Sequence, residues 1–465
     1  MRERSKAMGK LWAAGLAALL PMVVGCSSSD DGNGGSGGSG AVGGTGGSGG
    51  LGGAAGTGGA AGSGGASACS APPRSFWTWD LGVMPPADIQ VPSTCRGETA
   101  NGYIYVADES WNVDMDQTAV DTIAAAFASS TPADPARGIY QTNVETFGAP
   151  PDVDGDPHVV LFYAPMKGYQ GYSFDGFFRA DDQTAGDKSN LAEMLHMNAK
   201  GGQAPASEYM LGVAAHELVH LIAWKYDPQE EGWLEEAMAE AAMVVAGYMT
   251  DLPAAKAYAK KTASTPLCVK SYSDYGATFA FGTYVLDRFG SSFLRDVLQD
   301  PKDGRQAIEA HLPSGVTFRS LFGELMVATL LDQPGIGDGR YGFESVDLGA
   351  LGSETAAMSD GNPHELDAVA FGARMLRFSP GAGSLSVTLT STELAKLVVH
   401  SVVLDPALPA SAKVSAHDPS SGAIALTLAA GQVADLVVAV DPGATLADSK
   451  SAPMTKFTYT ATFTP

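Results

Sequence analysis

Positive charge is scarce in this 465-residue chain: 28 Lys and Arg stand against 51 Asp and Glu, a formal net charge of -23. A field of that sign repels phosphate backbones and anionic membrane surfaces, which excludes nucleic acid as a partner. The apolar stretch at residues 11–24 is too short to span a bilayer stably. No convincing internal repeat is visible. Cysteine is rare too, with only Cys69, Cys95 and Cys268 beyond Cys26. What remains is 45% hydrophobic and long enough for two or more domains with a sizeable core.

The first residues have the form of an export signal. Arg2, Arg4, Lys6 and Lys10 precede the apolar run LWAAGLAALLPMVV, and Val23-Val24-Gly25-Cys26 follows it. This resembles the lipobox of bacterial lipoproteins. The resemblance implies a signal peptide over 1–25, lipidation of Cys26, and a chain exported and anchored in the cell envelope, or released from it. The lipid would be its sole membrane contact. Residues 26–68 are almost all Gly, Ser, Ala and Thr, and predict a disordered tether that cannot bury enough apolar surface to offset chain entropy. Outside the cytoplasm an accessible thiol pair oxidises. Cys69–Cys95 closes the shorter loop and is the preferred bridge, leaving Cys268 free and buried, although spacing leaves Cys95–Cys268 open.

The pattern beyond residue 68 predicts an α+β fold. Residues 69–99 are rich in Pro and Trp and read as an irregular segment. Strands are expected at GYIYVAD (102–108) and HVVLFYA (158–164), with further strands or edges in YSFDGFFRADD and LAEMLHMN (191–198). Apolar residues at helical spacing predict helices over 117–129, 207–226, 230–249, 276–289, 304–312 and 317–331. Asp152-Val153-Asp154-Gly155-Asp156-Pro157 reads as a plain turn. A calcium-hand loop starting there would need its bidentate Glu where Tyr163 stands. From about residue 365, short alternating segments spaced by turn residues predict an all-β sandwich without a catalytic signature. Domains are therefore expected over 100–345 and 346–465.

Chemistry concentrates at His216-Glu217-Leu218-Val219-His220. Residues four apart share a helix face, so both imidazoles can hold one Zn²⁺ at about 2.0–2.1 Å. Glu217 projects beside that ion, placed to take a proton from its water. The flanking Ala214, Ala215, Leu218, Val219, Leu221 and Ile222 make the helix a buried one, where polar rings without partners are costly. A third ligand is expected from Trp233-Leu234-Glu235-Glu236-Ala237-Met238-Ala239-Glu240. Glu236 and Glu240 share a face, whereas Glu235 turns about 100° away and reads as solvated. Glu236 is the expected ligand, Glu240 the residue that orients a bound histidine, and Glu240 also the rival ligand.

These motifs resemble the gluzincin group of zinc peptidases, in which H-E-x-x-H is followed by a helix bearing WL-x-E. Wider features are similar to the hyicolysin family of neutral zinc metallopeptidases: DVDGDPHVVLF, GY-x-F with its acidic loop, E-M-L-H-M-N, and YG-x-x-x-x-F-x-x-Y-x-x-D-R-F-G over 275–290. The likeness covers residues 100–345. It implies a zincin-like domain, with a sheet over an active-site helix and a helical lower part, acting on a protein or peptide substrate. It also implies a Tyr or His that meets the developing oxyanion, for which Tyr275 and Tyr272 are candidates. Glu235 departs from the family, where Asn is common. The sheet edge near 193–198 is expected to pair with an extended substrate, with His196 structural.

An endopeptidase is the favoured function. An aminopeptidase on the same scaffold needs acids to catch a free amine, and residues 190–240 carry no such motif. A surface-binding lipoprotein with an inactive zinc site is the alternative from another class.

Overall fold

Residues 69–170, 173–250, 253–271, 274–348 and 355–465 are described by the computed structural model. The signal peptide, the tether, Cys26 and Tyr272 lie outside the described residues. The chain is α+β, with a mixed N-terminal part and a C-terminal β-sandwich.

Six strands form the first sheet: β1 (Arg74–Asp80), β2 (Ala87–Glu98), β3 (Gly102–Ala107), β4 (Val159–Ala164), β5 (Gly176–Phe178) and β6 (Met194–Asn198), in the order β1-β2-β3-β4-β6-β5. The pairs β3/β4 and β4/β6 are parallel, and the others antiparallel. Every residue of β4 and β6 is buried, as strands covered on both faces require. Ile104, Val106, Val159, Leu161, Leu195 and Met197 face the main core. Their neighbours Tyr105, Ala107, Val160, Phe162 and Met194 face a smaller core with Phe76 and Cys95.

Two expectations are corrected. Residues 69–99 are not irregular: β1 and β2 pair along their length and continue the sheet through β3. Residues 193–198 are not an edge, because the three-residue β5 pairs outside β6. The Cys69–Cys95 disulfide is formed and Cys268 is free and buried, as expected.

Nine helices lie among the described residues: α1 (Gln117–Ala128), α2 (Ile139–Phe147), α3 (Glu208–Tyr226), α4 (Gly232–Val245), α5 (Pro253–Ala259), α6 (Tyr275–Phe289), α7 (Ser291–Leu298), α8 (Arg305–His311) and α9 (Phe318–Leu331). None is long and apolar enough to cross a membrane. Gly282 fixes how α6 lies on α4, since a Cβ there would collide with the Ala237 carbonyl oxygen. The two backbones therefore touch directly.

The C-terminal strands are β7 (Thr355–Ala356), β8 (Asp360–Val369), β9 (Ala373–Phe378), β10 (Gly383–Thr390), β11 (Leu397–Asp405), β12 (Leu408–His417), β13 (Ile424–Leu428), β14 (Val433–Val440) and β15 (Met454–Thr464). They form a four-stranded sheet, β13-β10-β15-β8, and a five-stranded one, β12-β11-β14-β9-β7. Leu376, Val399, Leu436 and Val438 from the second meet Leu385, Val387, Phe457 and Ala461 from the first. The other face of the five-stranded sheet carries Met375, Val398, Val402 and Val437 into the same core as α9. Arg305 Nη1 also donates to Asp441 Oδ1 at 2.6 Å across this junction. The sandwich thus packs onto the helical part.

His400 of β11 is buried at this junction, with Cε1 only 2.6 Å from where a Cβ on Gly323 of α9 would lie. Burial, followed by the charge of His417, pushes its pKa down to about 4. A depressed histidine stays neutral in the fold, while the unfolded chain takes up a proton below about 6.5. Stability is therefore full above that value and is lost as pH falls toward about 4. This group should remove about 2 kcal/mol between pH 7.5 and 5. Denaturant titrations of the full chain and of His400→Gln at both pH values check this. The variant should lose less stability by about that amount.

Candidate metal centre

The helix α3 begins at Ser207, whose side chain accepts from Met210 N at 3.4 Å. From there thirteen of its nineteen residues are buried, which leaves no apolar stripe but a helix inside the core. Asn143 of α2 braces it by donating to Ala215 O at 2.7 Å. His216 and Glu217 are buried and His220 is half-buried, one turn along the same face. The neighbouring α4 is fixed by fully buried Trp233, whose indole donates to Glu231 Oε2 at 2.9 Å.

Three donor atoms converge. His216 Nε2 lies 3.1 Å from His220 Nε2 and 3.4 Å from Glu236 Oε2, and His220 Nε2 lies 3.8 Å from the same oxygen. Bonds of about 2.0–2.1 Å at tetrahedral angles put donor atoms about 3.3 Å apart, so this triangle has the size a zinc ion requires. Glu236 Oε2 is buried without a hydrogen-bond partner among the described residues, and the two imidazoles turn their Nε2 atoms toward each other. The first is costly without a nearby cation, and the second needs either a proton or a metal ion between the two rings.

Each opposite ring nitrogen faces a carboxylate, but only that of His220 is hydrogen-bonded. His220 Nδ1 donates to Glu235 Oε1 at 2.8 Å, and His216 Nδ1 lies 3.7 Å from Glu240 Oε1. Glu240 lies on the His216 side and outside the three converging donors. Glu235 is a correction: it is 8% exposed rather than solvated. Its turn away from Glu236 aims it at the second histidine.

The electrostatics demand positive charge. Burial alone would depress His220, yet Glu235, Glu236 and Glu217 overcome it and push its pKa up to about 10. Burial likewise works against charged His216, and Glu236 and Glu240 outweigh it to give a net rise. Burial raises Glu217, and raises Glu240 to about 7. For Glu236 burial is overcome by the two histidines, which hold it below the usual carboxylate range. A divalent ion would satisfy the same field.

Two groups beside Glu217 were not expected. Asp175, just before β5, is 3% exposed and accepts from Tyr209 OH at 3.0 Å. Burial, then the charge of Glu217, raises its pKa to about 7. Tyr209 lies eight residues before Glu217, two helical turns away on the same face, and that spacing was the available signal. Gly176 of β5 passes so close that a Cβ on it would sit 3.1 Å from Glu217 Oε1. Tyr275, the first residue of α6, brings its ring centroid to 6.4 Å from that of His216. His196 is structural as expected, held between Thr78 Oγ1 at 3.1 Å and Asp182 Oδ2 at 2.8 Å. Asp182 also takes a bond from buried Arg179, so the acidic loop is tied into the fold.

No family model and no curated protein matches the chain. Among solved structures, a periplasmic lysozyme inhibitor of g-type lysozyme from Salmonella Typhimurium aligns at 10% identity and a TM-score of 0.16. A mutant of the Escherichia coli inhibitor aligns at 12% and 0.17, and the Aeromonas hydrophila one at 10% and 0.16. Each alignment covers 24% of this chain and 96% of the other. TM-scores this low carry no argument about fold or activity.

Proposed function

We propose that this chain is an exported, lipid-anchored zinc peptidase with a zincin-like catalytic part, similar to the hyicolysin family, acting as an endopeptidase on proteins or peptides. The observation that carries the reading is the triangle of His216 Nε2, His220 Nε2 and Glu236 Oε2, with edges of 3.1, 3.4 and 3.8 Å. An all-nitrogen-and-carboxylate set of three protein ligands suits zinc and leaves a fourth position open.

The chemistry that zinc supplies when bound there is Lewis acidity, which acidifies water at the open position and polarises a peptide carbonyl. The chain's own groups do the rest. Glu217 accepts a proton from the attacking water and delivers it to the leaving amine nitrogen. Its burial raises its affinity for that proton. Gly176 keeps β5 close above Glu217 without displacing its carboxylate. Glu235 holds the His220 ring by Nδ1, which leaves Nε2 free for the ion. Glu240 lies 3.7 Å from His216 Nδ1, close enough to act on that ring by charge but not to hold it by a hydrogen bond. Tyr275 is the group we assign to donate to the developing oxyanion. An extended substrate would pair with the outer side of β5, which has no strand partner among the described residues.

The test is metal content and proteolysis of the purified full chain. One zinc per chain is expected, with casein cleavage abolished by a chelator and restored by zinc. An internally cleaved peptide with a blocked N-terminus separates an endopeptidase from an aminopeptidase. A zinc-loaded protein that cuts nothing across a broad peptide library overturns the reading in favour of a surface-binding lipoprotein.

A further inference from the structure

The turn that leads into β4 meets the start of β6, and three carboxylates gather there. Asp152 and Asp154 belong to the turn, and Glu193 directly precedes β6. One oxygen from each lies within 4.8 Å of the other two. The two aspartates are exposed and bond within their own turn, Asp152 Oδ1 accepting from Gly155 N and Asp154 Oδ1 from Asp156 N. Such acids alone need no ligand.

Glu193 is a different case. It is 2% exposed and locked by the sheet, since Val160 N donates to its carbonyl oxygen at 2.7 Å. One side-chain oxygen accepts from Val153 N, which ties it to the turn. The other, Oε2, is buried and has no hydrogen-bond partner among the described residues. No ion pair to Asp152, Asp154 or Glu193 occurs among those residues either. A carboxylate in that position is expensive to keep charged without a cation. Burial, reinforced by Asp154 and Asp152, accordingly raises its pKa.

We propose that Asp152, Asp154 and Glu193 form a second cation site, of the calcium class, that pins the β4 turn to the start of β6. The donors are all oxygen, the choice of a hard cation and not of zinc. The site differs from a calcium-hand loop in taking its buried glutamate from across the sheet. Position twelve of the loop is Tyr163, inside β4, and cannot serve. Calcium here would join β4 and β6, two of the three parallel strands, at one end, away from His216 and His220 in sequence. The site would stabilise the sheet and stands independently of the peptidase reading.

Calorimetric titration of calcium into the zinc-loaded full chain tests this. One saturable calcium is expected, with a midpoint between about 10⁻⁴ and 10⁻³ M, as in extracellular modules. Tenfold excess over that midpoint should raise the thermal unfolding midpoint by about 2 °C. Asp154→Asn and Glu193→Gln should each weaken calcium at least about tenfold while zinc content stays the same. If Glu193→Gln fails to fold, exposed Asp154→Asn decides alone. No saturable binding below about 10 mM calcium, or unchanged binding in Asp154→Asn, overturns the proposal.

Discussion

Glu217→Gln should retain its zinc and lose at least about a hundredfold in the rate of peptide hydrolysis. The substitution keeps the shape of the side chain and removes only its ability to accept a proton. Glu217 lies outside the three donors that converge, so the metal should stay. The buried position makes this a clean comparison, because Gln relieves a desolvated carboxylate rather than creating a cavity. Folding stability should hold or rise, and the rate loss cannot be blamed on unfolding. Zinc by mass spectrometry, thermal unfolding, and kcat on a blocked peptide should be measured on one preparation. Full activity in that preparation would sink Glu217 as the proton acceptor.

The parts legible in the sequence are those set by local period. His216 and His220 had to share a face once α3 was a helix, and four residues make one turn of it. Glu236 and Glu240 followed by the same logic on α4. The lipidation expectation rests on the lipobox resemblance and the tether on composition, and both concern residues outside the described ones. What failed depended on contacts between distant segments. The period of α4 turns Glu235 away from Glu236, a direction that reads from sequence as solvent. In the fold that direction meets His220, because the two histidines occupy different heights along α3. β1 and β2 were hidden by Pro and Trp, and acquire strand character from pairing with each other and with β3. β5 has only three residues, too few to show alternation, yet it turns residues 193–198 from an edge into an interior strand. Glu193 could not be joined to Asp152 and Asp154 until β4 and β6 were neighbours.

Replacing Glu236 and Glu235 in parallel should separate the ligand from the residue that supports one. Glu236→Ala leaves two imidazoles and removes the one carboxylate that the histidines hold in its charged form. Zinc should then be lost at micromolar concentrations, together with activity. Glu235→Gln keeps all three converging donors and loses only the charge against His220 Nδ1. Partners of that kind are worth about 10–100-fold in metal affinity. The variant should therefore refill with zinc in excess metal and recover much of its rate. Competition against a chromophoric chelator at pH 7.5 gives both affinities, and the Glu236→Ala loss should exceed the Glu235→Gln loss by at least about tenfold. The pH dependence adds a second readout. Glu235 favours the protonated form of His220 as well as the metal-bound one, so its removal lowers the pKa of that ring. Proton competition for the site should weaken, and zinc affinity in Glu235→Gln should fall less steeply as pH drops from 7.5 to 6. Equal losses in the two variants, or a larger one in Glu235→Gln, would overturn Glu236 as the third ligand.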